Sequence, residues 1–298
     1  QPSPFDPLTI GPLTLRNRFI KSGANEAMSL QGRPTKALVQ HHRTLAEGGI
    51  GMTTVAYMAV APEGRTLANQ IWMNPEYLPD LQALTRAVHD SGAAISAQIT
   101  HGGSFVTGLK VKGRLISASS GFNPAGSLKG NFLQRAMNEG DMTCVIDQFV
   151  AAAQLARDAG FDAVELQMGH GYLPNQFLSP LNNKRKDAYG GSAENRVRFP
   201  ARVLAAVKAA VGDTTAVLAK INVADSVSRG AKVEDAIVTP RALEAAGADM
   251  LVLSGGRNVE STWFMFGSRM NREEVSKILK QQGERLAAFA MKAAASSE

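Results

Sequence analysis

Residues 159–199 read AGFDAVELQMGHGYLPNQFLSPLNNKRKDAYGGSAENRVRF, and the opening AGFDAVELQ decides the fold. A glycine closes a helix-period segment, and a run of apolar or small residues follows at once. The same cadence occurs as GGIGMTTV at 48–55 and AGADMLVL at 246–253, each marking a helix-to-strand joint. Working outward, strands are predicted at 18–22, 51–56, 94–99, 163–167, 217–222 and 250–254. All but the first are nearly continuous apolar runs, as expected of strands buried on both faces. Helical spacing fills the intervals at 36–47, 77–91, 143–159, 194–211 and 233–246. Gly48, Gly92, Gly160 and Gly212 end four of these helices and Gly247 follows the fifth, which predicts left-handed helix stops. Alternating strand and helix implies an α/β fold with a parallel sheet. Ahead of it, residues 8–15 read as a small hairpin turning at Gly11-Pro12, suited to plugging the bottom of a barrel. Two long excursions, 100–142 and 168–193, follow strand ends, where α/β barrels build their sites.

The bulk composition excludes several classes. The chain has 298 residues, 44% hydrophobic and 19% charged, an ordinary globular balance. Its net charge of +6 is spread along the chain, with one modest cluster at Lys184, Arg185 and Lys186. No aromatic-interleaved basic stripe is present, so a nucleic-acid partner is not expected. No stretch approaches the roughly 20 apolar residues of a membrane helix, and the N-terminus lacks a signal-peptide layout. Cys144 is the sole cysteine, which rules out an intramolecular disulfide and a thiolate metal cluster. No metal is expected, and a cytoplasmic setting is the default.

The stretch 164–199 resembles the signature of the Old Yellow Enzyme family of flavin-dependent ene-reductases, where it runs from the fourth strand into the next helix. LTIGPLTLRNRFIKSGANEAM resembles that family's N-terminal hairpin and first strand. AEGGIGMTTVAYMAVAPEGR, AQITHGG and LAKINVAD resemble its second, third and fifth strands. The likeness spans about residues 5–256 in the family's order. It implies a (βα)8 TIM-type barrel with FMN at the C-terminal strand ends. It also implies NADH or NADPH as reductant, and an activated alkene as hydride acceptor.

The resemblance carries roles residue by residue. Gln167 and His170 occupy the pair that grips the substrate's carbonyl or nitro oxygen. The family has histidine where Gln167 stands, and an amide donates a hydrogen bond without carrying charge. Tyr172 matches the tyrosine that protonates the alkene carbon, a phenol that holds its proton at neutral pH. Gln98 matches the residue on the flavin's pyrimidine edge. It is also a polar residue ending an apolar strand, costly to bury without a partner. Lys220 matches the cation beside the flavin's N1 and O2, where fixed charge stabilises the reduced form. Ser22, Gly23, Ala24 and Asn25 match the segment lying along the flavin, and Ala56 and Tyr57 the positions after the second strand. Tyr57 is bulkier than usual there and is expected to crowd or stack on the ring. Taken alone, His170 reads as a satisfied histidine at a loop start, Tyr172 as a core tyrosine and Lys220 as a lysine reaching solvent. His41 and His42, on the first helix, are expected to face solvent. His101 is expected beside the pocket without a role. The stretch 187–196 reads as scaffold, with Ser192 capping the next helix.

Only six βα units are recognisable, in a barrel unit of residues 1–256, and strands seven and eight are not. Residues 257–298 read as a divergent segment: a loop with Trp263, Phe264 and Phe266, then a helix-like stretch at 271–292. An incomplete barrel has two open edges, so a truncated chain is expected, covered by a second copy or a complementing chain. The family's phosphate-binding glycines and arginine are not recognisable after Ser254-Gly255-Gly256, and Arg257 or Arg269 is the available substitute. Losing several charge-assisted hydrogen bonds, each worth about 1.5–3 kcal/mol, weakens FMN binding. The reading is therefore an FMN-dependent NAD(P)H oxidoreductase. The alternative is a non-catalytic relative with weak or no flavin binding. A phosphate-handling lyase or aldolase ranks last, because Lys220 is the only suitable lysine and no carboxylate cluster accompanies it.

Overall fold

The computed structural model describes residues 2–106, 108–109, 115–123, 125–126 and 130–261. The helix-like stretch at 271–292, the aromatics Trp263, Phe264 and Phe266, and Arg269 lie outside the described residues.

Six parallel strands form one sheet: β1 (Ile20–Lys21), β2 (Met52–Ala59), β3 (Ala94–Thr100), β4 (Ala163–Gln167), β5 (Ala216–Asn222) and β6 (Met250–Ser254). Their order in space is their order in sequence, the arrangement of a barrel wall. Among the described residues β1 and β6 are its edges, and Leu253 on β6 is 65% exposed. The helices are α1 (Lys36–Glu47), α2 (Leu78–His89), α3 (Glu139–Asp158), α4 (Leu173–Leu178), α5 (Ala193–Arg196), α6 (Arg198–Val211) and α7 (Asp235–Ala245). None of the described helices is long and apolar enough to cross a membrane.

The four inner strands, β2 to β5, have two buried faces with different partners. Ile95, Ala97, Ile99, Val164, Leu166, Val217 and Ala219 face the helices and join the large core. Phe177 and Phe199, with ring centroids 4.4 Å apart, tie α4 to α6 inside that core. Truncating either to alanine would cost about 3–5 kcal/mol by the cavity left behind. The opposite face changes character along its length. At the N-terminal ends Met52, Ala163, Ala216 and Leu218 pack on Ile10 and Leu15 of the hairpin Leu8–Ile10 and Leu13–Leu15. The hairpin thus plugs the bottom, turning at Gly11 with φ +54°. Two to four residues further up β3, β4 and β5 the same face is polar: Gln98, Glu165, Gln167 and Lys220. A polar set buried at one end of an apolar barrel needs partners there.

Several boundaries differ from the sequence reading, each for a local reason. The first strand shrinks to Ile20–Lys21, since from Ser22 the backbone turns to meet Lys220. The third helix starts earlier than 143 because Asn138 and Asp141 form a capping box. The segment 194–211 splits at Val197 into a short turn capped by Ser192 and the longer α6. Gly92, Gly160 and Gly247 are left-handed, but Gly48 and Gly212 are not, with φ of −70° and −65°. Gly49, at φ +90°, makes the first turn instead. Gly212 serves close packing, since a Cβ there would lie 2.5 Å from the Lys208 side chain. The excursion after β3 contains a three-stranded sheet of Leu115–Ser117, Gly121–Phe122 and Leu133–Ala136. Ser117 ties it to α4 by donating to Gln176 Oε1 at 3.0 Å.

Candidate functional site

At the C-terminal ends of the strands lies a cavity of about 560 Å³, within the usual range for small-molecule sites. Gly23, Ala24, Asn25, Ala56, Tyr57, Gln98, Gln167, His170, Tyr172 and Lys220 all line it. Ser22 stands behind them as a hydrogen-bond partner of Lys220. The sequence brings these residues from five strand ends to one place because each follows or closes an apolar run.

One side of the cavity is a charged and amide-lined floor. Lys220 Nζ donates to Ser22 Oγ at 2.9 Å and to the Gly23 carbonyl at 3.0 Å. Both partners are neutral, and a lysine has a third N–H to give. Burial lowers the Lys220 pKa, the nearby Glu165 carboxylate opposes that shift, and Lys21 adds to it. Gln98, 1% exposed, donates from Nε2 to Glu165 Oε1 at 2.6 Å. Gly23 lies against that amide: a Cβ there would be 2.6 Å from Gln98 Nε2.

The other side is aromatic and neutral. Tyr172 packs between Tyr57 and Phe105, with ring centroids at 5.7 and 5.5 Å. Its hydroxyl is hydrogen-bonded by the Asn258 side chain, and burial raises its pKa well above the usual phenol value. Tyr57 is held by Thr66, whose Oγ1 is 3.3 Å from the Tyr57 hydroxyl, and so stands as part of the wall. Gln167 Oε1 accepts from Gly169 N at 3.0 Å, which commits the oxygen and leaves the NH₂ group as donor. His170 adopts φ +59°, a strained region for a non-glycine residue. Asn222 Oδ1 accepts from its N–H at 3.1 Å and Asn258 N donates to its carbonyl at 3.1 Å, holding it there. Its ring Nε2 is 2.7 Å from Ser254 Oγ. Burial, followed by the Lys220 charge, lowers its pKa to about 4, so the imidazole is neutral at pH 7.

Other expectations are corrected. His42 does not face solvent: it is fully buried, with Nδ1 2.8 Å from Thr53 Oγ1. It repeats four residues after Leu38 and four before Ala46, so it shares the helix's buried stripe. His101 is buried but lines a separate cavity of about 240 Å³ with Glu63 and Gln148. Arg257 is no free anion ligand. Its guanidinium donates to Asn175 Oδ1 at 2.9 Å, Asn182 Oδ1 at 2.6 Å and Glu260 Oε2 at 3.0 Å, clamping the loops after β4 and β6 together.

Phe105, Thr66, Ser254, Asn258 and Glu165 join the site without having been singled out in the sequence. Glu165 alone carried a usable signal, as a charge inside an apolar strand. Glu26, His41 and His42 bring metal-type donor atoms within 4.8 Å of one another. The Lys21 ammonium, paired to Glu26, already supplies the cation there.

The residues fit a flat cofactor with a polar edge. Gly23 leaves room for close approach, Gln98 offers an amide and Lys220 a partly unpaired ammonium at the same end. Gln98 and Lys220 would hold that edge.

The sequence profile of the NADH:flavin oxidoreductase / NADH oxidase family matches residues 3–285. The chain is 40% identical over 268 residues to the 4,4'-dithiodibutanoate disulfide reductase of Rhodococcus erythropolis, covering 89% of this chain and 65% of that protein. It is 33% identical over 258 residues to the NADH oxidase of Thermoanaerobacter brockii, covering 86% of this chain and 39% of that protein. It therefore spans less than two thirds of the length of either relative. The fold matches an old yellow enzyme homologue from Zymomonas mobilis with a TM-score of 0.74 at 22% identity, covering 87% of this chain and 77% of that one.

Proposed function

This chain belongs to the NADH:flavin oxidoreductase / NADH oxidase family, the Old Yellow Enzyme family its sequence resembles, and on that premise we propose that it is an FMN-dependent NAD(P)H oxidoreductase reducing activated, enone-type alkenes. The observation carrying this reading is the convergence of Lys220, Gln98, Gln167, His170 and Tyr172 on one cavity. Bound flavin supplies the hydride. Lys220 offsets the negative charge that accompanies reduction, and Gln98 orients the cofactor edge beside it. The NH₂ of Gln167 and the neutral ring of His170 hold the substrate's carbonyl oxygen. Tyr172 gives its proton to the alkene carbon next to that carbonyl, completing addition of one hydride and one proton. Burial keeps the Tyr172 proton in place until charge develops on the substrate. Phe105 and Tyr57 help exclude water from the transfer.

A second reading, reduction of a disulfide, is favoured by the Gln167–His170 pair. Neither side chain is cationic at pH 7, so the pull on a carbonyl is weaker than a charged pair would exert. Cleavage of an S–S bond needs the hydride but no carbonyl activation. Hydride adds to one sulfur, the S–S bond breaks, and the other sulfur leaves as a thiolate. A thiolate is stable enough to depart without a proton from Tyr172. The relative at 40% identity carries such an activity in its name.

The purified protein is incubated with FMN and desalted, and its visible spectrum is recorded. A retained band near about 450 nm is expected, bleached anaerobically by NADH or NADPH. Recovery on adding 2-cyclohexenone supports the alkene reading, and recovery with a linear dithiodicarboxylate alone supports the second. A folded protein that stays colourless defeats both, leaving a non-catalytic relative.

A further inference from the structure

Glu165 takes no part in the chemistry above, yet its carboxyl group accepts a hydrogen bond from Gln98 on the cavity floor. It sits on β4 between Ala163, which packs on the basal plug, and Gln167, which lines the cavity. It is 1% exposed. In register it lies beside Gln98 on β3 and Leu218 on β5. Leu218 shows that this depth of the barrel accommodates an apolar side chain of similar size. A carboxylate is therefore costly here and unnecessary for packing. Burial raises the Glu165 pKa, and the Lys220 charge, the hydrogen bond from Gln98 and the Lys21 charge oppose that rise without cancelling it.

The contacts close into a ring. Gln98 turns Nε2 toward Glu165 Oε1, 2.6 Å away, and so turns its own Oε1 away. A carboxylate, which only accepts hydrogen bonds, enforces that orientation. Gly23 caps the same amide, its absent Cβ falling 2.6 Å from Nε2 and 3.2 Å from Oε1. The Gly23 carbonyl in turn accepts from Lys220. Glu165 thus reaches both groups that face the cofactor edge, one by a hydrogen bond and one by charge.

We propose that Glu165 is a positioning residue of the cofactor pocket. It fixes the Gln98 amide with its carbonyl presented to an N–H on the bound flavin, and its negative charge counters Lys220 and so limits how strongly the site favours reduced over oxidised flavin. This rests on the flavin reading above.

The test uses the full chain carrying Glu165→Gln, which keeps size and removes charge. Affinity for oxidised FMN is measured by fluorescence quenching and the midpoint potential by dye equilibration. The variant is expected to favour reduced flavin about tenfold more than wild type does, equal to about 30 mV for a two-electron couple. It also binds oxidised FMN more weakly, because a glutamine partner no longer dictates the Gln98 orientation. In a Gln98→Ala background the affinity effect disappears while the shift in potential persists. Glu165→Asp, which keeps the charge but shortens the reach, weakens affinity and leaves the potential at the wild-type value. This variant carries the test if Glu165→Gln does not fold. A folded Glu165→Gln protein with wild-type potential overturns the proposal, as does a shift in potential for the aspartate variant. Wild-type protein that takes up no FMN overturns the proposal together with the flavin reading. Wild-type protein that binds FMN while the variants match it overturns the proposal alone.

Discussion

Gly23→Ala tests the tightest point of the site. The added methyl would lie 2.6 Å from Gln98 Nε2 and 2.9 Å from Cδ, short of van der Waals contact by roughly an ångström. The end of a glutamine ordinarily swings aside at small cost. Here it is 1% exposed and held by Glu165 at 2.6 Å, so yielding means losing a hydrogen bond to a charged group, about 1.5–3 kcal/mol. For a domain of this size each kcal/mol moves Tm by about 2–4 °C, which gives a fall of about 3–12 °C. Thermal unfolding followed by circular dichroism, without added flavin, measures this independently of any cofactor. If the displaced amide also serves the cofactor, FMN affinity falls about 10- to 150-fold by the same energy. The control is Gly23→Ala in a Gln98→Ala background, where the amide is gone and the methyl has room. The two substitutions should then couple by roughly the full penalty. A Tm within about 1 °C of wild type, or the same loss with Gln98 already removed, would refute the clamped-amide reasoning.

Tyr172→Phe keeps the packing against Tyr57 and Phe105 and removes the hydroxyl, with its proton and its hydrogen bond to Asn258. Bleaching by NAD(P)H should be unchanged while alkene-driven recovery slows about 10²–10⁴-fold, and stopped-flow absorbance separates the two half-reactions. The buried histidines set the acid limit of the fold: His42 is lowered to about 3, and His101 and His170 to about 4, chiefly by burial. With folded values below the unfolded 6.5, their stabilisation is complete above pH 6.5 and is lost as pH falls toward 4. Three such groups give a slope of about 4 kcal/mol per pH unit at steepest. Urea denaturation at pH 7.5, 6 and 5 reads it, and equal stability across that series would contradict the burial of these rings.

The sequence announced the inner strands because each has two buried faces, and a doubly buried strand leaves a nearly unbroken apolar run. The same property pointed to the cavity: Gln98 and Lys220, which line it, stand out as polar residues near the C-terminal ends of such runs. What was not legible depends on distant pairs. Phe105 reaches Tyr172, Asn258 binds the Tyr172 hydroxyl and Ser254 meets His170. Nothing local in the loops carrying Phe105 and Asn258 foretells those partners. His42 was readable in principle, since its spacing from Leu38 and Ala46 places it on the buried stripe, but a histidine pair suggested solvent instead. The capping box at Asn138 and Asp141 was likewise present in the sequence and marks the true start of α3.

The direction of polarity along the barrel ties these features together. A side chain facing inward near the hairpin plug meets Ile10 or Leu15, and only apolar groups are stable there. Two residues higher, the same face has no plug to fill it and an open cavity above, so polar groups can be satisfied by one another or by a ligand. Lys220 and Glu165 are opposite charges at that boundary, and neither is compensated by solvent. A site built this way answers most strongly to a change in ligand charge, which reduction of a flavin brings. Beyond it, toward His170 and Gln167, the lining is neutral at pH 7, so a second substrate there would be held by shape and hydrogen bonds. Placing charge near the expected cofactor edge and neutrality at the substrate end separates the two tasks. Substitutions on the floor should therefore move potential, and substitutions at Gln167 should move substrate choice.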